Sequence, residues 1–126
     1  MRRCLDSWAV LRWLEGVEPA ATRVAKALDQ RPVMSVVNAG EVFYIVRRQA
    51  GDEAAVEVLD TLRARVQLDP VDEARAVQMA RIKADHRMAL GDAFAAATAQ
   101  AYGVRLLTGD PELLAKPRTW DVQDLR

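Results

Sequence analysis

Four acidic side chains stand at positions where an α/β protein could do chemistry. Asp6 directly follows a short apolar run, Arg3-Cys4-Leu5, and Asp110 follows Val104-Arg105-Leu106-Leu107-Thr108 after one glycine. Glu41 comes one helical turn into the segment after Val33-Met34-Ser35-Val36-Val37, with Asn38 three residues earlier on the same face. Asp92 opens an alanine-rich stretch. Carboxylates brought together repel and raise one another's pKa unless a cation joins them. An oxygen-preferring divalent ion, Mg²⁺ or Mn²⁺, resolves the conflict, because it accepts carboxylates, keeps several waters and takes phosphate oxygens as further ligands. Metal-assisted phosphodiester hydrolysis is the chemistry best matched to such a set. One histidine, His86, and one cysteine, Cys4, leave no material for a His-rich zinc site, a His-centred triad or an internal disulfide.

The elements that would position these acids alternate between short apolar runs and longer helical patterns. Strands are expected at Arg3-Cys4-Leu5, Val33 to Val37, Val66-Gln67-Leu68, Val104 to Thr108 and Trp120-Asp121-Val122. Helices are expected from Ser7 to Gly16, from Pro19 to Pro32, from Asn38 to Gly51, from a cap at Asp52, from a cap at Asp72, and from Leu90-Gly91-Asp92 to Gly103. A short turn or helix follows Pro111. Strand–helix alternation of this kind argues for an α/β protein, a parallel sheet with helices on both faces. In such sheets ligands bind beyond the carboxyl ends of the strands, so residues remote in sequence can meet at one edge.

The chain has 126 residues with no repeat, low-complexity tract or Pro/Gly-rich linker, which suits one domain over 1–126. Lys and Arg number 18 and so do Asp and Glu, so bulk attraction to a polyanion is not a main source of affinity. Local basic groups, Arg47-Arg48 and Arg81, Lys83 and Arg87, are candidates for tracking a phosphate backbone, although solvated helix faces with ion pairs explain them equally. No apolar run approaches a membrane span and no secretory h-region follows the basic start, so the expected address is the cytoplasm.

Four segments carry a resemblance to a known family: Leu5-Asp6-Ser7; Asn38-Ala39-Gly40-Glu41-Val42-Phe43-Tyr44; Leu90-Gly91-Asp92-Ala93-Phe94-Ala95-Ala96-Ala97-Thr98-Ala99; and Leu107-Thr108-Gly109-Asp110-Pro111-Glu112. In this order and spacing the chain resembles the PIN-domain ribonucleases, and among them the VapC-like toxins of type II toxin–antitoxin pairs. The resemblance implies a three-layer α/β/α PIN-like fold with a short, mostly parallel central sheet of four to five strands. It implies that Asp6, Glu41, Asp92 and Asp110 form an acidic quartet holding Mg²⁺ or Mn²⁺. Asp6 and Asp92 would be the firmest ligands, supported by Ser7, Asn38 and Thr108. It also implies endonucleolytic cleavage of single-stranded RNA, inhibition by a small cognate antitoxin, and a homodimer. Gly91 stands where the family often has alanine, a change expected to touch no ligand.

Taken singly, the acids have ordinary explanations. Asp6 and Asp92 would serve as helix caps, Asp110 as a turn residue and Glu41 as a solvated helix residue. Two other functions fit the same chain: a PIN-fold binding module without catalysis, and another acid-cluster phosphohydrolase or nuclease. Trp8, Trp13, Phe43 and Tyr44 read as core or interface, Cys4 as a buried strand residue and His86 as a solvated loop residue.

Overall fold

A computed structural model describes residues 1–126. Five short strands form its sheet: β1 (Arg3–Leu5), β2 (Val33–Ser35), β3 (Gln67–Asp69), β4 (Arg105–Thr108) and β5 (Val122–Asp124). All neighbours pair in parallel, in the order β3-β2-β1-β4-β5. Seven helices complete the chain: α1 (Ser7–Glu15), α2 (Ala20–Leu28), α3 (Val36–Ala50), α4 (Asp52–Arg65), α5 (Glu73–Asp85), α6 (Leu90–Tyr102) and α7 (Pro111–Leu114). The sheet is thus fully parallel, where the sequence suggests mostly parallel.

Side chains of a strand alternate between faces, and here that period divides the core in two. Leu5, Met34 and Leu107 face one side, packed with Val10, Val24, Val42 and Leu62 of α1 to α4. Cys4, Val33 and Leu106 face the other, packed with Ile82, Trp120, Leu113 and the alanines of α6. The result is three layers, helix–sheet–helix. Ala93, Ala95, Ala96, Ala97 and Ala99 are all buried, and their small side chains let α6 lie close across the sheet. No helix is long and apolar enough to cross a membrane.

Strand order reverses between β1 and β4. From β1 the chain winds outward through β2 to β3, and then crosses over by α5 and α6 to β4 and β5 on the other side. Such a switch point opens a crevice at the carboxyl ends of the two central strands. The residues that leave those ends are Asp6 and the Thr108-Gly109-Asp110 turn.

Several boundaries differ from the sequence expectation for local reasons. The Val33–Val37 strand stops at Ser35, whose Oγ accepts a hydrogen bond from the Val37 N–H at 3.2 Å, so Val36 and Val37 join α3. Asp52 is the first residue of α4 and not its cap; Gly51 holds that place. Helix α2 ends at Leu28, four residues short of Pro32. Strand β3 lies one residue later than expected, and β5 two residues later. Trp120, read from sequence as strand, is instead a buried plug whose Nε1 donates to the Leu113 carbonyl at 3.0 Å.

Candidate metal centre

Asp6 leaves β1 and caps α1. Its Oδ1 accepts a hydrogen bond from the Ala9 N–H at 2.7 Å, and its Oδ2 accepts one from the Thr108 hydroxyl. The cap reading of Asp6 is thus realised, with both oxygens of a carboxylate that is 2% exposed engaged by protein donors at the edge of the crevice. Thr108, at the end of β4, has a second duty: its Oγ1 accepts from the Asp110 N–H at 3.0 Å. One hydroxyl thereby ties the two sides of the crevice together. Asp110 in turn caps α7, its Oδ1 accepting from the Glu112 N–H at 2.8 Å.

Glu41 approaches from α3. The Asn38 amide nitrogen donates to Glu41 Oε1 at 2.8 Å and to the Gly91 carbonyl at 3.0 Å, joining α3 to the first turn of α6. Two acceptors on one side fix the orientation of that amide. Its other end, Asn38 Oδ1, is buried and has no hydrogen-bond partner in the protein. Gly91 packs directly against the Glu41 carboxylate, and a Cβ there would run into both carboxylate oxygens. The expectation that Gly91 touches no ligand residue is corrected: its missing side chain is the space Glu41 occupies.

Asp92 sits in the first turn of α6, beside the positive end of the helix dipole, and is only half-buried. Asp92, Asp110 and Glu112 each present a carboxylate oxygen, and these lie within 4.8 Å of one another. Glu112 is the member that sequence reasoning missed. It stands two residues after Asp110 in the quoted Thr-Gly-Asp-Pro-Glu segment, where the proline starts a single helical turn that aims both acids the same way. Ser7, expected to support the carboxylates, is the half-buried first residue of α1 and hydrogen-bonds to none of them.

The electrostatics register the crowding. Burial is the first cause that pushes the Asp6 carboxyl up to about 7; Asp110 and Glu41 push the same way, against the hydrogen bonds from Thr108 and Ala9. Asp92 is also raised to about 7, first by burial and then by Asp110, Asp6, Glu112 and Glu41. Protons or a cation must answer this concentration of negative charge. The donor set is all oxygen, which suits Mg²⁺ or Mn²⁺ and not a soft metal. The orphaned Asn38 Oδ1 adds a buried acceptor ready for a donor such as a hydrating water. The residues present therefore fit a hard divalent ion.

The basic candidates do not converge on this crevice as one group. Arg47 pairs with Asp52 at 3.0 Å, and the Arg48 guanidinium lies 5.1 Å from the Tyr44 ring centroid, both in the last turn of α3. Arg81 lines a separate cavity of about 370 Å³ with Asp85 and His86. Arg87 is exposed in the loop before α6 and has no acidic partner within 4.0 Å. His86 is half-buried and not simply solvated, its ring 4.9 Å from Trp120 in an edge-on contact. Cys4 is buried as expected.

Comparison with known proteins gives a consistent result. The family model described as PIN domain matches residues 3–118. Ribonuclease VapC4 of Mycobacterium tuberculosis is 34% identical over 91 residues, covering 67% of this chain and 70% of that protein. Among solved structures, DNA-bound VapBC from Salmonella typhimurium superposes with a TM-score of 0.79 at 16% identity, covering 100% of each chain. VapBC2 from Rickettsia felis, bound to a promoter fragment, gives 0.78 at 13% identity, covering 98% of each. At these identities the two structures speak to the fold.

Proposed function

The chain belongs to the PIN-domain family, and from that premise we propose that it is a Mg²⁺- or Mn²⁺-dependent endoribonuclease, the toxin of a type II toxin–antitoxin pair. The observation that carries this reading is the meeting of Asp92, Asp110 and Glu112 within 4.8 Å at the reversal of strand order, with Asp6 and Glu41 close enough to raise the Asp92 pKa. The likeness to a protein named ribonuclease VapC4 supports the choice of RNA as substrate.

In this reading Asp92, Asp110 and Glu112 hold the ion, and Asp6 and Glu41 complete its surroundings. When bound, a divalent ion there supplies an acidified water and positive charge for the phosphoryl oxygens. The chain's own residues do the positioning. Thr108 and the Ala9 N–H fix both oxygens of Asp6, and Asn38 holds Glu41 against α6. Asn38 Oδ1 accepts a hydrogen bond from a water of the site. Arg87, free of an acidic partner in the loop before α6, is the basic side chain this reading puts on the RNA backbone beside the acids; Arg81, Arg47 and Arg48 would contact more remote parts of a bound strand only.

A cognate antitoxin is the proposed inhibitory partner, supported by the similarity to VapBC structures and by exposed apolar side chains at the rim. Leu90 and Val36 open α6 and α3 beside the acids and are 52% and 44% exposed. A homodimer and a cytoplasmic setting belong to the same reading, as does one PIN-like unit over 1–126.

The test is cleavage of total RNA with and without Mg²⁺. Asp92→Asn should lower the rate by about 100-fold or more, a loss of the size expected when a group acting on the transition state is removed, while the fold is retained. Cleavage that persists in excess chelator, or in both Asp92→Asn and Asp110→Asn, would reject the assignment.

A further inference from the structure

We propose that a second pocket, at the amino end of β1 and the end opposite Asp6, binds the phosphate group of a nucleotide. Strand register sets its floor. Leu5 pairs with Leu107 and Leu107 with Gln123, so Leu107 and Gln123 project to the same face as Leu5, and Arg3 does so by the alternation of β1. Above them lie Arg23 and Lys26, three apart on one side of α2, and Gln30 in the turn just after it. Together they enclose about 440 Å³. That volume accommodates a mononucleotide and is within the range of small-molecule sites.

The charge of this pocket is one-sided. Three cations, Arg3, Arg23 and Lys26, line it and no acidic side chain does. None of the three has a carboxylate within 4.0 Å, whereas Arg12, Arg47, Arg63, Arg65, Arg75, Arg105 and Arg126 each do. In a chain of zero net charge, three cations without a salt bridge around one hollow are a local concentration. The acid next to the pocket, Asp124, is not part of its lining; it is paired with Arg126 through two nitrogens at 3.1 and 2.9 Å and also feels the charge of Arg23. Two of the cations are also oriented. Arg3 Nε donates to Gln123 Oε1 at 3.5 Å, and Arg23 Nη1 donates to the Asp124 carbonyl at 3.3 Å. Each guanidinium keeps further N–H donors for an incoming oxyanion, Lys26 adds three more, and the Gln30 amide completes a rim of donors. Phosphate matches this arrangement in charge, size and acceptor number. The phosphate arrives either on a free nucleotide or within an RNA chain.

Titration of the full chain in chelator keeps the acidic site out of the measurement, so the result is independent of the nuclease reading. The probes are inorganic phosphate, AMP and a short 2′-O-methyl oligonucleotide. Saturable binding is expected, weakening as salt rises. Arg3→Gln and Lys26→Gln should each raise the dissociation constant about tenfold, a shift of one oriented charge contact, and Lys26→Glu should abolish binding. Arg63→Gln, on α4 and paired with Asp60, should change nothing. Lys26 is exposed, so its variants keep the fold; Arg3 is half-buried on β1, so circular dichroism checks its variant and the Lys26 pair carries the test if that strand is disturbed. AMP binding with this pattern identifies free nucleotide as the source; binding of the oligonucleotide alone with this pattern identifies the RNA backbone. Absence of saturable binding for every probe, or binding unaltered in Lys26→Glu, overturns the proposal.

Discussion

At the scale of single residues, the informative position is one with no side chain. Gly91 gives its space to the Glu41 carboxylate, and Asn38 clamps the two together from the other side. Gly91→Ala should separate stability from activity. Alanine in a helix is worth about 0.8–1 kcal/mol over glycine, and the atoms in its way are the far end of a flexible side chain. The variant should melt near or above the parent, yet cleave RNA more slowly because Glu41 is displaced. Equal cleavage by both proteins would show that Glu41 contributes nothing from this seat. Glu112 makes the complementary point: its type was visible in the sequence, but the aim it takes depends on one turn of helix started by Pro111.

At the scale of elements, the β4–α7 turn is held from two directions. Thr108 binds the Asp110 N–H from within, and the Trp8 ring of α1 packs against Gly109 so closely that a Cβ has no room. Gly109→Ala must push an indole and not a flexible tip, so it should destabilise the fold by about 1–3 kcal/mol and move Asp110. Chemical denaturation and RNA cleavage should both report the change; a variant of parental stability would show that Trp8 yields freely. The strands and helices that carry the acids were legible because apolar runs, caps and glycine stops coincide: Asp6 before α1, Asp72 before α5, and Gly16 and Gly103 in left-handed conformation after α1 and α6. The last strand was misplaced because Trp120 looks like a strand residue by type. Its burial against α7 is a tertiary contact that no local pattern encodes. Asp69 is a similar case: it is buried at the end of β3, bound by Arg75 at 2.9 and 3.1 Å and by the Tyr102 hydroxyl at 3.0 Å, a network that ties β3 and its neighbour α5 to the far end of α6.

At the scale of the whole molecule, the acid cluster sets how stability depends on pH. Asp6 and Asp92 stand at about 7 in the folded protein, against roughly 4 for an aspartate in an unfolded chain. The folded state therefore binds more protons between those values, and the metal-free protein loses stability as pH rises through that window. On the proposed metal reading a divalent cation would reverse the balance by binding the ionised folded site. Thermal melts in chelator should give a lower midpoint near pH 8 than near pH 5, and Mn²⁺ should raise the midpoint more at the higher pH. A midpoint in chelator that climbs from pH 5 to pH 8 would contradict the cluster's electrostatics. The four acids were legible as residue types with family-like neighbours. Their meeting at one edge of the sheet was expected from their places beyond the strand ends; what was not legible is that Glu112 joins Asp92 and Asp110, since that rests on the single turn of helix after Asp110.

The crossover by α5 and α6 also fixes when the site comes into being. Asp6 is made among the first residues, yet its hydroxyl partner on β4 and the acids of α7 emerge from the ribosome about a hundred residues later. A chain that stops short of Thr108 lacks two of the three clustered acids and the hydroxyl that holds Asp6, so the centre is assembled only when the last strands join the sheet.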